Sequence, residues 1–163
     1  MRIATLALMV RKGKVLLGLK RGGPEIGEGT YNGPGGKMES TDRSILDCLI
    51  RETQEEIGVT LCPTRIVKVA VITFCARGIP DFEVHVYLTT RWVGKPRKTM
   101  SMIPHWFRET RIPVRRMLES DRAWFRRALS GNKFNATVHY SERAKGFERI
   151  TFHPFRNHER RFH

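Results

Sequence analysis

The chain has 163 residues, a length that suits one domain, and its 40% hydrophobic content is enough for a folded core. Its 30 Lys and Arg against 16 Asp and Glu give a net charge of +14. Such a field draws phosphates, on nucleotides, nucleic acids or lipids, without choosing among them. No apolar run approaches the roughly 20 residues of a membrane-spanning helix, which excludes that class. Cys48, Cys62 and Cys75 are odd in number and form no CxxC pair, as expected of reduced thiols in a cytoplasmic protein.

In chain order, "RIATLALMV" and "KVLLGLK" read as two strands joined by "RKG" in a hairpin. The apolar start lacks a small-residue cleavage site and runs into "RKGK", so it is a strand and not a secretory signal. "RGGPEIGEGTYNGPGGK" is too rich in Gly and Pro for regular structure. Ser44 to Ile57 has helical spacing, with Ile45, Leu46, Leu49, Ile50, Thr53 and Ile57 toward one side and Gly58 closing it. "RIVKVAVITFCA" and "FEVHVYLTTRWV" are strands linked by "RGIPD". "GKPRKTMSMIP" reads as a basic loop and "HWFRETRIP" as a short strand with a turn. Asp121 to Leu129 is a second helix, capped by Ser120 or Asp121, with Trp124, Phe125, Ala128 and Leu129 inward. "FNATVHY" and "FERITFHPF" are late strands, and "RNHERRFH" a tail. The reading is α/β, a mixed sheet between helices, in one domain over 1–155 with a basic tail over 156–163.

One cluster stands against the basic background. On the first helix Glu52, Glu55 and Glu56 share a face, at i, i+3 and i+4. Three carboxylates there repel by a few tenths of a kcal/mol per pair and sit in the last turn, where the helix dipole disfavours negative charge. A divalent cation removes both penalties, and Mg²⁺ takes such oxygen ligands together with water and phosphates. A solvated charged face is the simpler account of the glutamates alone. The Gly-rich loop just before them reverses the balance, because bare backbone approaches phosphate and metal closely. Acid cluster, open backbone and cationic surroundings together describe metal-assisted phosphate chemistry.

"GG…RETQEEIGV" resembles the Nudix signature, with Arg51, Glu52, Glu55, Glu56, Gly58 and Val59 matching in type and spacing. "TLALMVRKGKVLLGLKR", "YNGPGGK", "FEVHVYLTT", "PHWF" and "DRAWF" extend the likeness to the MutT-type branch, over residues 3 to 155. The resemblance implies an α/β/α Nudix sandwich. It also implies Mg²⁺-dependent hydrolysis, with Mn²⁺ as the alternative ion, of a nucleoside triphosphate to monophosphate and pyrophosphate. Its expected substrate is an oxidised purine nucleotide such as 8-oxo-dGTP. Glu52, Glu55, Glu56 and the Gly35 carbonyl are the implied metal ligands, with Arg51 orienting the acidic face. Thr5, Lys20, Asn32 and Asp121 match positions that line the nucleotide pocket, beside Gly36, Lys37 and Leu118.

Four departures bear on the outcome. The spacer between Gly36 and Arg51 is one residue too long for the motif, so its expected Glu is replaced by Asp42 or, in the other register, Arg43. Thr53 replaces an aliphatic residue. Met100 and Ser101 stand where the branch carries an acid that binds metal or activates water. In the base pocket Leu118 replaces a stacking Trp, and Ser120 replaces the first of two Asp residues, leaving Asp121. Loss of stacking is worth about 1–3 kcal/mol per base in nucleic-acid sites. Two rival readings follow. One is a Nudix hydrolase of another nucleoside diphosphate derivative or of RNA 5′ triphosphates, the latter held by the cationic runs Arg91 to Lys98 and Arg108 to Arg116; the other is a non-catalytic nucleotide or RNA binder. The intact glutamates speak against the binder. A cytoplasmic monomer without membrane attachment is expected.

Overall fold

The computed structural model describes residues 1–21 and 28–157; most of the expected basic tail lies outside them. In chain order the strands are β1 Arg2–Arg11, β2 Lys14–Lys20, β3 Tyr31–Asn32, β4 Thr60–Leu61, β5 Ile66–Ala76, β6 Ile79–Thr89, β7 Trp92–Val93, β8 Met102–Arg108, β9 Phe134–Glu142 and β10 Lys145–His153. Helix α1 is Ile45–Ile57 and α2 is Glu119–Leu129.

The main sheet runs β10-β9-β5-β6-β1-β2-β3, with β8 on β2. It is mixed: β1 lies parallel to β6 and β5 parallel to β9, while the other pairs are antiparallel. Strand alternation sorts the core into two layers. Ala7 and Met9 of β1 pack with Leu49 and Ile57 of α1. Leu6 and Leu8 pack on the opposite face with Trp124 and Phe125 of α2. This is the expected α/β/α sandwich.

The β1–β2 hairpin turns at Lys12 and Gly13, whose φ values of 50° and 71° suit a tight two-residue turn. The two strands stay paired only from Met9↔Leu16 to Arg11↔Lys14 and then part. The gap is filled by residues 31–37, the described end of the Gly/Pro-rich segment. Tyr31–Asn32 pairs with Leu19 and Gly18, so that segment does hold a short strand, contrary to expectation. Two residues gain strand geometry here only from the partner beside them.

Other boundaries also move. The β5–β6 turn is Arg77–Gly78 alone, and Ile79, Pro80 and Asp81 of the expected link belong to β6. Trp92–Val93 is a separate strand on Thr60–Leu61. β8 starts at Met102, inside the stretch read as loop, because it pairs along the whole of β2.

Ser44 caps α1, its hydroxyl accepting from Asp47 N at 3.0 Å. Thr53 is fully buried, and its hydroxyl donates to Leu49 O at 2.7 Å, which is how the core accepts it. Neither Ser120 nor Asp121 caps α2. Leu118 holds that position without a side-chain bond, because both polar side chains turn inward and are buried.

Candidate active site

The wedge between β1 and β2 builds the site. Residues 33–37 run beside β1, with Pro34 O accepting from Ala7 N at 2.8 Å and Gly36 O from Thr5 N at 2.9 Å. The intervening Gly35 amide points the other way, toward α1. There Gly35 N–H donates to Glu56 Oε2 at 2.9 Å. A Cβ on Gly36 would run into the Glu52 carboxylate, and one on Gly35 into the Thr5 carbonyl oxygen. Backbone closes off Gly35 to any side chain, whereas at Gly36 only the end of the Glu52 side chain stands in the way.

The glutamates are not equivalent. The Glu52 side chain is 14% exposed and that of Glu55 58%. Arg51 Nη1 donates to Glu52 Oε1 at 2.8 Å and to Glu55 Oε2 at 3.3 Å. Its Nε and Nη2 grip Asp42 at 2.8 and 2.7 Å. Asp42 thus serves as the spacer acid despite the extra residue, and Arg43 faces solvent. Burial pushes the Glu52 carboxyl above its usual value, while the Arg51 hydrogen bond pulls against that shift. A cation beside it would relieve the cost of keeping it charged. Among the described residues no three His, Cys, Asp or Glu side chains converge closely enough to hold an ion alone. Glu52, Glu56 and the Gly35 carbonyl nonetheless form a set of hard oxygen donors, and water and phosphate oxygens complete such a set for Mg²⁺ or Mn²⁺. In chemistry these residues suit a divalent metal, and Glu55 stands at the rim with its side chain 58% exposed.

From this loop a cavity of about 350 Å³ opens onto the α2 face of the sheet. Thr5, Lys20, Asn32 and Gly36 line it, as do Lys37, Leu118 and Asp121. Gly35 and Glu56 reach it too, whereas Arg51, Glu52 and Glu55 stand outside its lining. At its inner end Asp121 is 1% exposed. Asn32 Nδ2 donates to Asp121 Oδ2 at 3.0 Å and Trp124 Nε1 to Oδ1 at 3.0 Å. Asn32 Oδ1 accepts from Gly33 N at 2.8 Å, which fixes the orientation of the amide. Burial raises Asp121 to about 7, against hydrogen bonds from Trp124 and Ser120. Near neutral pH it can offer or accept a proton.

The departures acquire a geometry. Met100 is 87% exposed. Its loop docks on the end of α1 through Thr99 Oγ1, which donates to Glu56 O at 2.7 Å, and brings no carboxylate. Among the described residues, the carboxylates lining the cavity are Glu56, Asp81 and Asp121. Ser120 joins a chain in which Tyr140 Oη donates to Ser120 Oγ at 2.8 Å and Ser120 Oγ to Asp121 Oδ1 at 3.4 Å. Aromatic surface absent at Leu118 is present at Phe74 and Phe82, which are cross-strand partners, and at Trp124 and Tyr140. The sequence alone does not place these four in the pocket. Period-two alternation through "TFCARGIPDFEV" was the available signal, but the overlong link obscured the pairing.

A NUDIX domain profile matches residues 1–129, which carry both the glycine loop and the acidic helix. The chain is 34% identical over 134 residues to an oxidized purine nucleoside triphosphate hydrolase of Danio rerio, covering 82% of this chain and 83% of the relative. The Mus musculus protein of the same description matches at the same identity and coverage. A mutator MutT protein from Bacillus halodurans shares the fold with a TM-score of 0.79, at 22% identity, over 93% of this chain and 97% of its own. A MutT NUDIX hydrolase from Burkholderia pseudomallei aligns with a TM-score of 0.59, at 28% identity, over 69% of this chain and 86% of its own. This chain belongs to the Nudix family of hydrolases.

Proposed function

We propose that this chain is a Mg²⁺-dependent pyrophosphohydrolase. It converts an oxidised purine nucleoside triphosphate such as 8-oxo-dGTP, with one water, to the monophosphate and pyrophosphate, and so cleans the nucleotide pool. One observation carries the reading: a single cavity is lined both by Glu56 of α1 with the Gly35–Gly36 backbone and by Asp121 of α2 with its partner Asn32. That layout suits a molecule with a base at one end and phosphates at the other. The relatives in fish and mouse are named for the same class of substrate.

Nudix hydrolases generally use a divalent metal. Glu52, Glu56 and the Gly35 carbonyl would hold it here, with Glu55 beside them. When bound, the ion neutralises phosphate charge and makes water more acidic. Lys20 and Lys37 line the cavity and offer positive charge to the phosphate chain. With no acid in the 99–101 loop, Glu56 takes the proton of the attacking water. An oxidised purine bears an added carbonyl and N–H on its imidazole ring, and Asp121 can meet either according to its protonation. The protein works as one domain over 1–155, as a cytoplasmic monomer. No helix among the described residues is long and apolar enough to cross a membrane.

A 5′-triphosphorylated RNA end is the second reading. It is favoured by Arg116, whose guanidinium lies 4.9 Å over the ring of Tyr31, next to Asn32 of the cavity. Product analysis with Mg²⁺ and normal, oxidised and dinucleoside polyphosphate substrates, plus triphosphorylated RNA, separates the two. Pyrophosphate released fastest from oxidised purine nucleotides is the expected result. Monophosphorylated RNA ends as the main product would favour the second reading. No turnover with any of them, alongside salt-sensitive RNA binding, would leave only a binding protein.

A further inference from the structure

The β5–β6 pairing carries a bulge. Phe74 faces Phe82 but the next residue, Cys75, faces Pro80, so Asp81 has no partner on β5. A bulge re-aims a side chain, and here it sends Asp81 to the cavity mouth. Arg2 Nη2 donates to Asp81 Oδ1 at 2.9 Å. Arg143, from the β9–β10 turn, grips the same carboxylate with Nε on Oδ2 at 2.7 Å and Nη2 on Oδ1 at 2.9 Å. Burial alone would raise Asp81, but the hydrogen bonds from Arg143 and Arg2 outweigh it and hold the carboxyl below its usual value. The Asp81 carboxylate is therefore charged at neutral pH.

This bridge spans three elements. Arg143 reaches across the end of β5 to β6, and Arg2 comes from the start of β1. The Arg2 guanidinium lies 4.0 Å over the Phe82 ring, which itself lines the cavity. Behind the bridge lies an open groove of about 510 Å³ between the two hairpins. Ala76, Asp81 and Arg143 line both spaces, so the bridge is the partition between them.

We propose that the Arg2–Asp81–Arg143 bridge is the size-limiting wall of the base pocket, setting specificity for purines without bulky substituents. Asp81 acts as a positioning residue: it pins Arg2 against Phe82 and draws Arg143 across the opening. The proposal rests on the reading of this cavity as the nucleotide pocket. Removing the carboxylate frees both arginines to swing into solvent and joins the pocket to the outer groove. A purine with an aryl group then finds room that the wild-type chain denies it.

The test compares purine nucleoside triphosphates carrying a benzyl group on the exocyclic amine, or an arylamino group on the imidazole carbon, with their parents. In Asp81→Ala and Arg143→Ala the kcat/KM ratio of the better substituted nucleotide to its parent rises at least roughly tenfold, the scale of pocket-fit discrimination, with the change in KM. Asp81→Glu restores discrimination in part. Calorimetric binding of the corresponding monophosphates reads the wall without turnover, so a wild-type chain inactive on every nucleotide would sink the proposed reaction and leave the wall testable. Ratios unchanged in both variants, in turnover and in binding, would overturn the wall.

Discussion

Glu56→Gln lowers kcat by roughly a thousandfold or more while the melting temperature stays close to that of the parent chain. Glutamine keeps the carbonyl oxygen that accepts from Gly35 N–H, so the loop remains anchored. It loses the negative charge and the basic oxygen, the two properties that metal and water require of this position. Glu56 is the acid of the motif that lines the cavity, and Thr99 pins its backbone carbonyl from the other side. Glu52→Gln acts in the same direction, because that carboxylate lies against Gly36. Glu55→Gln also lowers turnover, but less, since its side chain stands at the rim and is mostly exposed. Steady-state rates and thermal melts on the three variants check the order. A Glu56→Gln chain that turns over at the parent rate contradicts the assignment of this helix face.

Asp121→Asn removes two behaviours together. The first is a dependence of stability on pH. The Asp121 carboxyl sits at about 7 in the folded chain, against 3.8 for its ordinary value. Between those values the folded state holds a proton that the unfolded state has lost. Its contribution to stability is therefore full below the unfolded value and falls away as pH rises through the folded one. The hydrogen-bond partners Asn32, Ser120 and Trp124 carry no charge, so this slope belongs to Asp121 itself. Melting curves across that window show the parent losing stability relative to Asp121→Asn as pH rises. Parallel curves would contradict the burial argument. The second behaviour is base selection. An amide cannot exchange the roles of donor and acceptor at one oxygen, so preference among purines falls by roughly tenfold or more, the scale of losing one matched hydrogen bond. The KM of the parent changes near neutral pH and that of the variant does not.

What the sequence disclosed followed local rules. Ser44, the apolar side of α1 and Gly58 delimit a helix that forms where the periodicity places it. The alternation in β1 sends Leu6 and Ala7 to opposite cores, as a buried central strand requires. What stayed hidden depends on distant partners. Tyr31–Asn32 becomes a strand only because β1 and β2 part and leave a gap. Met102 starts β8 because β2 offers an edge along its full length. Ser120 and Asp121 resemble caps by local chemistry, yet Tyr140, twenty positions on, and Trp124 draw them into the interior. Asp42 rather than Arg43 could be chosen only once Arg51 was seen to grip it with two nitrogens. The Asp81 bulge lies in the same category, since its two arginines come from opposite ends of the chain.

The acidic face of α1 and the Gly35–Gly36 backbone are held here to be a metal–phosphate centre at one end of a base pocket. Electron paramagnetic resonance of Mn²⁺ with the full chain and a non-hydrolysable purine nucleoside triphosphate tests that claim most directly. The expected result is a protein-bound Mn²⁺ signal that tightens when nucleotide is added and is lost in the Glu52→Gln, Glu56→Gln double variant. A signal of equal strength in parent and double variant, or one indifferent to nucleotide, would contradict it.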